Sequence, residues 1–305
     1  MPNAALATRV AAAALIVILA SGYLVARYVA PHAEPLTFLT VRFAATAGVM
    51  AAIAWLAQAP WPSSLREWLN IAVAGVLLQG VMLATVFWSV RQGLPAGVCS
   101  LVLALQPLLT GMLAGPLLGE RVTARMWLGL LAGLAGAALV LAPRVSGEDA
   151  LPPAPVAAAF LGLVAISLGT VWQKRTGQTG DLRVSVAVQF LAAFLFTAPL
   201  ALLLEDLTFD GSGELWLAMS WSVLGTSAAG ILLMLWLLRR MPVSAMSSLF
   251  YLIPVVAAAM TWLAFDERLA PVQILGMAVA VAGVWLTSLG QARPVAGPPA
   301  RGTRP

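Results

Sequence analysis

One cysteine and one histidine stand in 305 residues, and charged residues make up only 10% of the chain. Cys99 has no second cysteine to pair with and reads as a small packing residue in an apolar run. A lone His32 does not make a zinc site, which needs three or four ligands, so no metal is expected. No phosphate-cradling loop of the glycine-lysine type occurs, so the chain is not by itself an ATP-driven pump. No nucleophile–base pair and no paired carboxylates are visible, so the chain reads as no enzyme, and no cofactor is implied. No acidic residue sits clearly inside an uncharged run, which leaves proton coupling open. The basic excess, 17 Lys and Arg against 12 Asp and Glu, is not laid out as a stripe with interleaved aromatics. Nucleic acid is therefore not expected as a partner.

What is abundant is apolar surface: 61% of the residues are hydrophobic. Ten uncharged runs are each near the length that a bilayer of about 30 Å requires. They cover about 8–29, 36–57, 67–90, 95–117, 123–142, 154–174, 183–204, 214–237, 243–264 and 270–290. Prolines and glycines punctuate the gaps, among them Pro31, Pro35, Pro60, Pro62, Gly93, Pro95, Pro143, Gly177, Gly180, Gly211 and Gly213. The first run, after Arg9, has the look of a signal peptide. Nine further runs favour an uncleaved first helix. The expected class is an all-α integral membrane protein with the lipid bilayer as its surroundings.

The chain repeats itself. Moved back by 147 residues, Pro242 falls on Pro95, Ser247 on Ser100, Leu252 on Leu105 and Pro254 on Pro107. Glu267-Arg268 falls on Glu120-Arg121, Gly169 on Gly22, Lys174 on Arg27, and Gln189-Phe190 on Arg42-Phe43. The units are 8–143 and 154–290, with a linker at 144–153 and a Pro-, Gly- and Arg-rich tail at 291–305 expected to be disordered and cytoplasmic. Five spans per unit is an odd number, so the second copy enters the membrane inverted. With the N-terminus inside, only Arg27, Arg42, Arg91, Arg144 and Arg268 of the 17 basic residues fall outside. That bias places both termini in the cytoplasm.

The most telling stretch is Met241–Arg268, MPVSAMSSLFYLIPVVAAAMTWLAFDER. It opens on Pro242, carries Pro254 in mid-span and stops at Asp266-Glu267-Arg268. A mid-span proline cannot donate to the carbonyl four residues back, so kinks are expected at Pro107 and Pro254. The carbonyls of Leu103 and Phe250 are then freed. This pattern, present twice, resembles the EamA repeat of the drug/metabolite transporter superfamily. The resemblance covers roughly residues 10–290, and Ser21-Gly22 stands where such proteins often carry Trp-Gly. It implies a bacterial inner-membrane secondary transporter that exports small metabolites, amino acids or drug-like compounds by alternating access. Rival readings are a nucleotide-sugar or sugar-phosphate carrier, or a non-transporting receptor or scaffold; monomer and homodimer are both open.

Candidate substrate contacts are Tyr23, Arg27, Arg42, Trp88, Gln106, Trp236, Ser247 and Tyr251. Tyr23 and Arg27 share a helix face, and the resemblance places that face in the cavity. Arg27 and Arg42 fit either snorkelling to the interface or an anion in a central cavity. Trp88 and Trp236 fit an interfacial belt as well as an aromatic wall. Gln106, beside Pro107, and Gln79 are polar groups at membrane depth that need partners. Ser247, Tyr251 and Pro254 are spaced to share one face. Gly129 and Gly133, and Gly276 in the second unit, read as packing faces.

Overall fold

Helix boundaries here follow from a few local devices. Pro35, which has no amide proton to leave unpaired, begins α2 (Pro35–Leu56). Ser64 accepts from the Glu67 amide and starts α3 (Leu65–Gly75). The Glu67 carboxylate reaches back to the Ser63 amide at 2.9 Å. Asp181 and Ser212 cap α9 (Leu182–Leu204) and α10 (Gly213–Ser220) in the same manner. Gly93 (φ 90°) and Gly177 (φ 60°) turn the chain away after helix ends, in a region that other residues enter only at a cost.

The computed structural model describes residues 2–118, 124–141, 153–177, 180–238, 240, 252–265 and 270–288. The remaining helices are α1 (Pro2–Val29), α4 (Met82–Arg91), α5 (Ala96–Leu103), α6 (Gln106–Leu118), α7 (Ala124–Leu141), α8 (Pro153–Thr176), α11 (Gly230–Leu238), α12 (Ile253–Phe265) and α13 (Pro271–Ser288). Among the described residues there is no strand, only an isolated bridge between Ala33 and Phe209. Among the described residues, seven helices are long and apolar enough to cross a membrane, including Leu65–Arg91 and Gly213–Met234, each running through two helices and a wide turn. The positions of expected spans 5, 9 and 10 hold α7, α12 and α13, described over 18, 13 and 18 residues. The linker up to its last residue, the tail, Ser247, Phe250, Tyr251, Glu120 and Glu267 lie outside the described residues.

Two features interrupt the regular helices. Span 4 breaks at Ala104–Leu105, just before Pro107, where both amides turn back to carbonyls three residues earlier. Span 3 widens into a π-helical turn over Val76–Val81, and span 8 does so over Trp221–Ala229. Such wide turns are rare and gather at functional sites.

The internal repeat is also structural. Shifted by 147 residues, Leu6–Val29 falls on Pro153–Thr176, and the starts of α2, α6 and α7 fall on the starts of α9, α12 and α13. The π turn of span 3 falls inside that of span 8. Packing obeys the same exchange. Helix α2 lies against α9, and α7 against α13, each with its own counterpart. Helix α1 packs on spans 8 and 9, while its counterpart α8 packs on spans 3 and 4. The two units thus interleave rather than sit side by side. Between α7 and α13 the helices cross on glycine: a Cβ on Gly283 would stand 2.8 Å from the Gly133 amide nitrogen.

The buried core runs through both units, with Phe38 stacked on Phe87 and Phe43 tilted against Phe190. Outward faces stay apolar: Leu195, Leu203, Leu128, Trp262, Leu263 and Trp285 are all more than half exposed. Water-soluble chains rarely leave so many large apolar side chains bare, and a bilayer would cover them.

Candidate functional site

Two polar groupings lie inside this apolar bundle. The first is built on α2. Its eighth residue, Arg42, stands about 10 Å from the helix start at 1.5 Å per residue. Arg42 is only 6% exposed and is the one buried charged residue among those described. Its terminal nitrogen donates to the Thr226 hydroxyl at 3.2 Å, in the π turn of span 8, while its Nε has no partner. One turn on, the Thr46 hydroxyl is fully buried and also has none. The wide turn manages its own carbonyls: Thr226 and Ser227 both donate to the Ser222 carbonyl, at 2.9 and 3.0 Å. In the second unit the counterpart of Arg42 is Gln189, buried and likewise the eighth residue of its helix, α9.

The second grouping joins α6 to α8. Gln106 donates its side-chain amide to the Thr170 hydroxyl at 3.1 Å. One turn from each lie Thr110 and Ser167, whose buried hydroxyls have no partner. All four buried side-chain atoms left unpaired among the described residues, Arg42 Nε, Thr46 Oγ1, Thr110 Oγ1 and Ser167 Oγ, therefore fall in these two groupings. Buried polar atoms are ordinarily satisfied, so orphans collected in two places need a reason.

The other expected contacts are scattered. Tyr23 is half-buried against the main core and is the counterpart of Thr170. Arg27 is exposed at the end of α1, its guanidinium 5.8 Å from the Phe265 ring centre. Trp88 is exposed. Trp236 is half-buried beneath Arg240, whose guanidinium lies 3.8 Å from the ring centre.

At the end of the bundle where α2 begins, two loops join the units. Glu205 accepts from the Leu36 and Thr37 amides and the Thr37 hydroxyl at 2.7–2.8 Å, capping α2 from across the repeat boundary. His32 hydrogen-bonds Asp210 through Nδ1 and Glu214 through Nε2. Asp210 returns its amide to the His32 carbonyl at 3.1 Å, and Glu34 donates to the Thr208 carbonyl. The bond to Asp210 is the main cause that holds the His32 pKa above its ordinary value. Asp210 is held low, first by the Ser212 amide and next by His32. Read in sequence, His32 stood alone; its partners are 178 and 182 residues away.

A helical chain with seven described helices apolar enough to span a membrane, repeated at a 147-residue offset, fits a multi-pass membrane transporter of the drug/metabolite class. The EamA-like transporter family model matches the chain twice, over residues 8–142 and 154–289, and the chain belongs to that family. The uncharacterized inner membrane transporter YedA of Escherichia coli K12 is 28% identical over 290 residues, 93% of each chain. A probable amino-acid metabolite efflux pump of the same organism is 24% identical over 235 residues, 71% of this chain and 75% of that one. A solved crystal structure 20% identical in sequence shares the fold with a TM-score of 0.64, covering 93% of this chain and 96% of that one.

Proposed function

We propose that this chain is a secondary transporter of the bacterial inner membrane. It exports small metabolites that carry a carboxylate, amino acids among them, by alternating access between two inverted five-span repeats with both termini in the cytoplasm. The observation that carries this reading is Arg42: a buried cation with one neutral hydrogen bond and a buried Nε–H that has no partner. An ion held so in a low-dielectric interior is costly unless an anion visits it. A guanidinium presents a planar fork that suits a carboxylate. Thr46 and Thr226 supply hydroxyls beside it.

The relative named for amino-acid metabolite efflux supports the substrate class. The contact exchange between units supports two related states, since one structure then serves both openings with its halves interchanged. The π turns and the break at Ala104–Leu105 are where spans 3, 8 and 4 have weakened helical ladders, and there rearrangement costs least.

The test is exchange of radiolabelled solutes in proteoliposomes, with amino acids, other carboxylates and neutral isosteres in parallel. Exchange of carboxylates by the wild-type protein that Arg42→Gln loses, at equal reconstitution, is the expected result. No exchange of any solute would favour the receptor or scaffold reading. Exchange that Arg42→Gln leaves intact would move the substrate elsewhere.

A further inference from the structure

A cavity of about 560 Å³ opens between the start of α3 and the end of α8, lined by Ser64, Arg66, Glu67, Asn70, Trp172 and Arg175 among others. Its lining residues belong to neither polar grouping described above. We propose that it holds a phosphate-bearing anion, the headgroup of an anionic lipid.

Three observations lead there. First, the cavity gathers two guanidinium groups, one from each repeat unit. Among the described residues neither Arg66 nor Arg175 has a hydrogen bond or ion pair, and both are exposed. Second, the one carboxylate in the lining is already engaged. Both oxygens of Glu67 accept from Ser63, at 2.9 Å from its amide and 3.5 Å from its hydroxyl, closing the start of α3. That carboxylate keeps its charge but pairs with neither cation, which leaves the two forks free for a phosphate. Third, tryptophans of the interfacial kind gather at the site. Trp172 donates its indole N–H to the Asn70 carbonyl at 3.1 Å. Beside it, at the same end of α3, Trp61 stacks on Trp68 at 6.0 Å, and Trp68 donates to the Pro62 carbonyl. Tryptophans with an apolar body and a bonded N–H collect at headgroup level. The anions standing at that level in a bilayer are lipid phosphates, and basic recesses between spans take them up.

The experiment uses the full chain purified in detergent, read by native mass spectrometry with added phosphatidylglycerol or phosphatidylcholine. The wild-type protein should retain phosphatidylglycerol in preference to phosphatidylcholine. Arg66→Gln with Arg175→Gln should lower that retention by about tenfold or more, as expected for lost charge-assisted bonds. Arg240→Gln, the loss of one charge over Trp236, should leave it unchanged. Arg66→Lys with Arg175→Lys keeps the charge and should retain lipid more strongly than the glutamine pair, which separates binding from folding. Millimolar inorganic phosphate or glycerol phosphate in competition distinguishes the two sources of the same chemistry. Displacement of the lipid by either would assign the cavity to soluble phosphates and overturn the lipid assignment. Equal retention of both lipids, or retention unchanged in the double glutamine variant, would overturn the site altogether.

Discussion

Arg42→Met should make this protein more stable and less useful. The wild-type guanidinium is 6% exposed, donates one hydrogen bond to Thr226 and leaves Nε without a partner. Removing it loses a hydrogen bond from a charged group, about 1.5–3 kcal/mol. It also removes the desolvation penalty of a buried ion, several kcal/mol after relaxation, and methionine fills much of the same volume. The difference favours the variant by roughly 1–4 kcal/mol, the range found when buried ions give way to apolar residues. The assay is thermal unfolding of purified protein in nanodiscs, beside solute exchange in proteoliposomes. A higher melting temperature together with loss of carboxylate exchange is the expected pair of results. A variant that melts lower by more than one hydrogen bond's worth would refute the reasoning, since Arg42 would then be holding α2 to span 8. So would a variant that is more stable and still exchanges carboxylates.

Gly75→Ala should destabilise by about 1–3 kcal/mol, the usual cost of overpacking. Its Cβ would stand 2.8 Å from the Gln189 carbonyl carbon and closer still to the Cα and O, all backbone that cannot step aside. Gly48→Ala, with nothing within 4 Å, is the matched control, and equal melting of the two would count against the close crossing of α3 and α9. The His32 clasp should titrate. Its raised pKa contributes stability fully below the ordinary value of about 6.5, and loses it as pH rises through the raised value. Asp210, held low, contributes above the ordinary carboxylate range and loses it in acid. Melting of the wild-type protein should therefore fall from near-neutral to alkaline pH, and His32→Gln should flatten that limb; superimposable profiles would refute the clasp. For topology, a cysteine at Asp206 should react with an impermeant maleimide on intact cells, and one at Ser63 only after permeabilisation. Labelling of Ser63 from outside would invert the assignment.

Much of the architecture was legible in the residues because a bilayer imposes length and leaves little else. Pro35, Gly93, Gly177 and Gly211 mark boundaries that the structure places within a residue or two of those expected, whereas the caps of Asp181 and Ser212 emerged only in the structure. The 147-residue offset was visible in Pro107 and Pro254, and it reappears in helix starts and in packing partners. The π turns were not foreseen. Their spans are apolar around the whole circumference, so hydrophobic periodicity carries no register from which an extra residue could be noticed. A trace existed all the same: Gln79-Gly80 and Thr226-Ser227 are polar or small pairs at equal positions in otherwise apolar runs. The clasp of His32 with Asp210 and Glu214 was beyond reach for another reason: nothing local links residues so far apart in sequence. Of the expected contacts, Arg42 and Gln106 gained partners from the other unit, Thr226 and Thr170, which no spacing along one helix could indicate.

The wide turns of spans 3 and 8 set a phase. Each residue of an ordinary α-helix turns the chain by about 100°. A π turn takes up residues at a lower twist, so the two halves of span 3 do not share one angular register, nor do those of span 8. The half that begins at Met82 and the half that begins at Gly230 are each aimed by the turn before them. Deleting one residue within Val76–Val81 would leave every side chain from Met82 onward in place in the sequence and aimed at the wrong neighbour. Thr85 would leave Gly162, and Ser89 would leave the Pro155 carbonyl to which it now donates at 2.8 Å. Because the same device sits at the same point in both copies, the duplicated chain inherited a gear setting along with a set of helices, and the two must be reset together if the halves are to stay interchangeable.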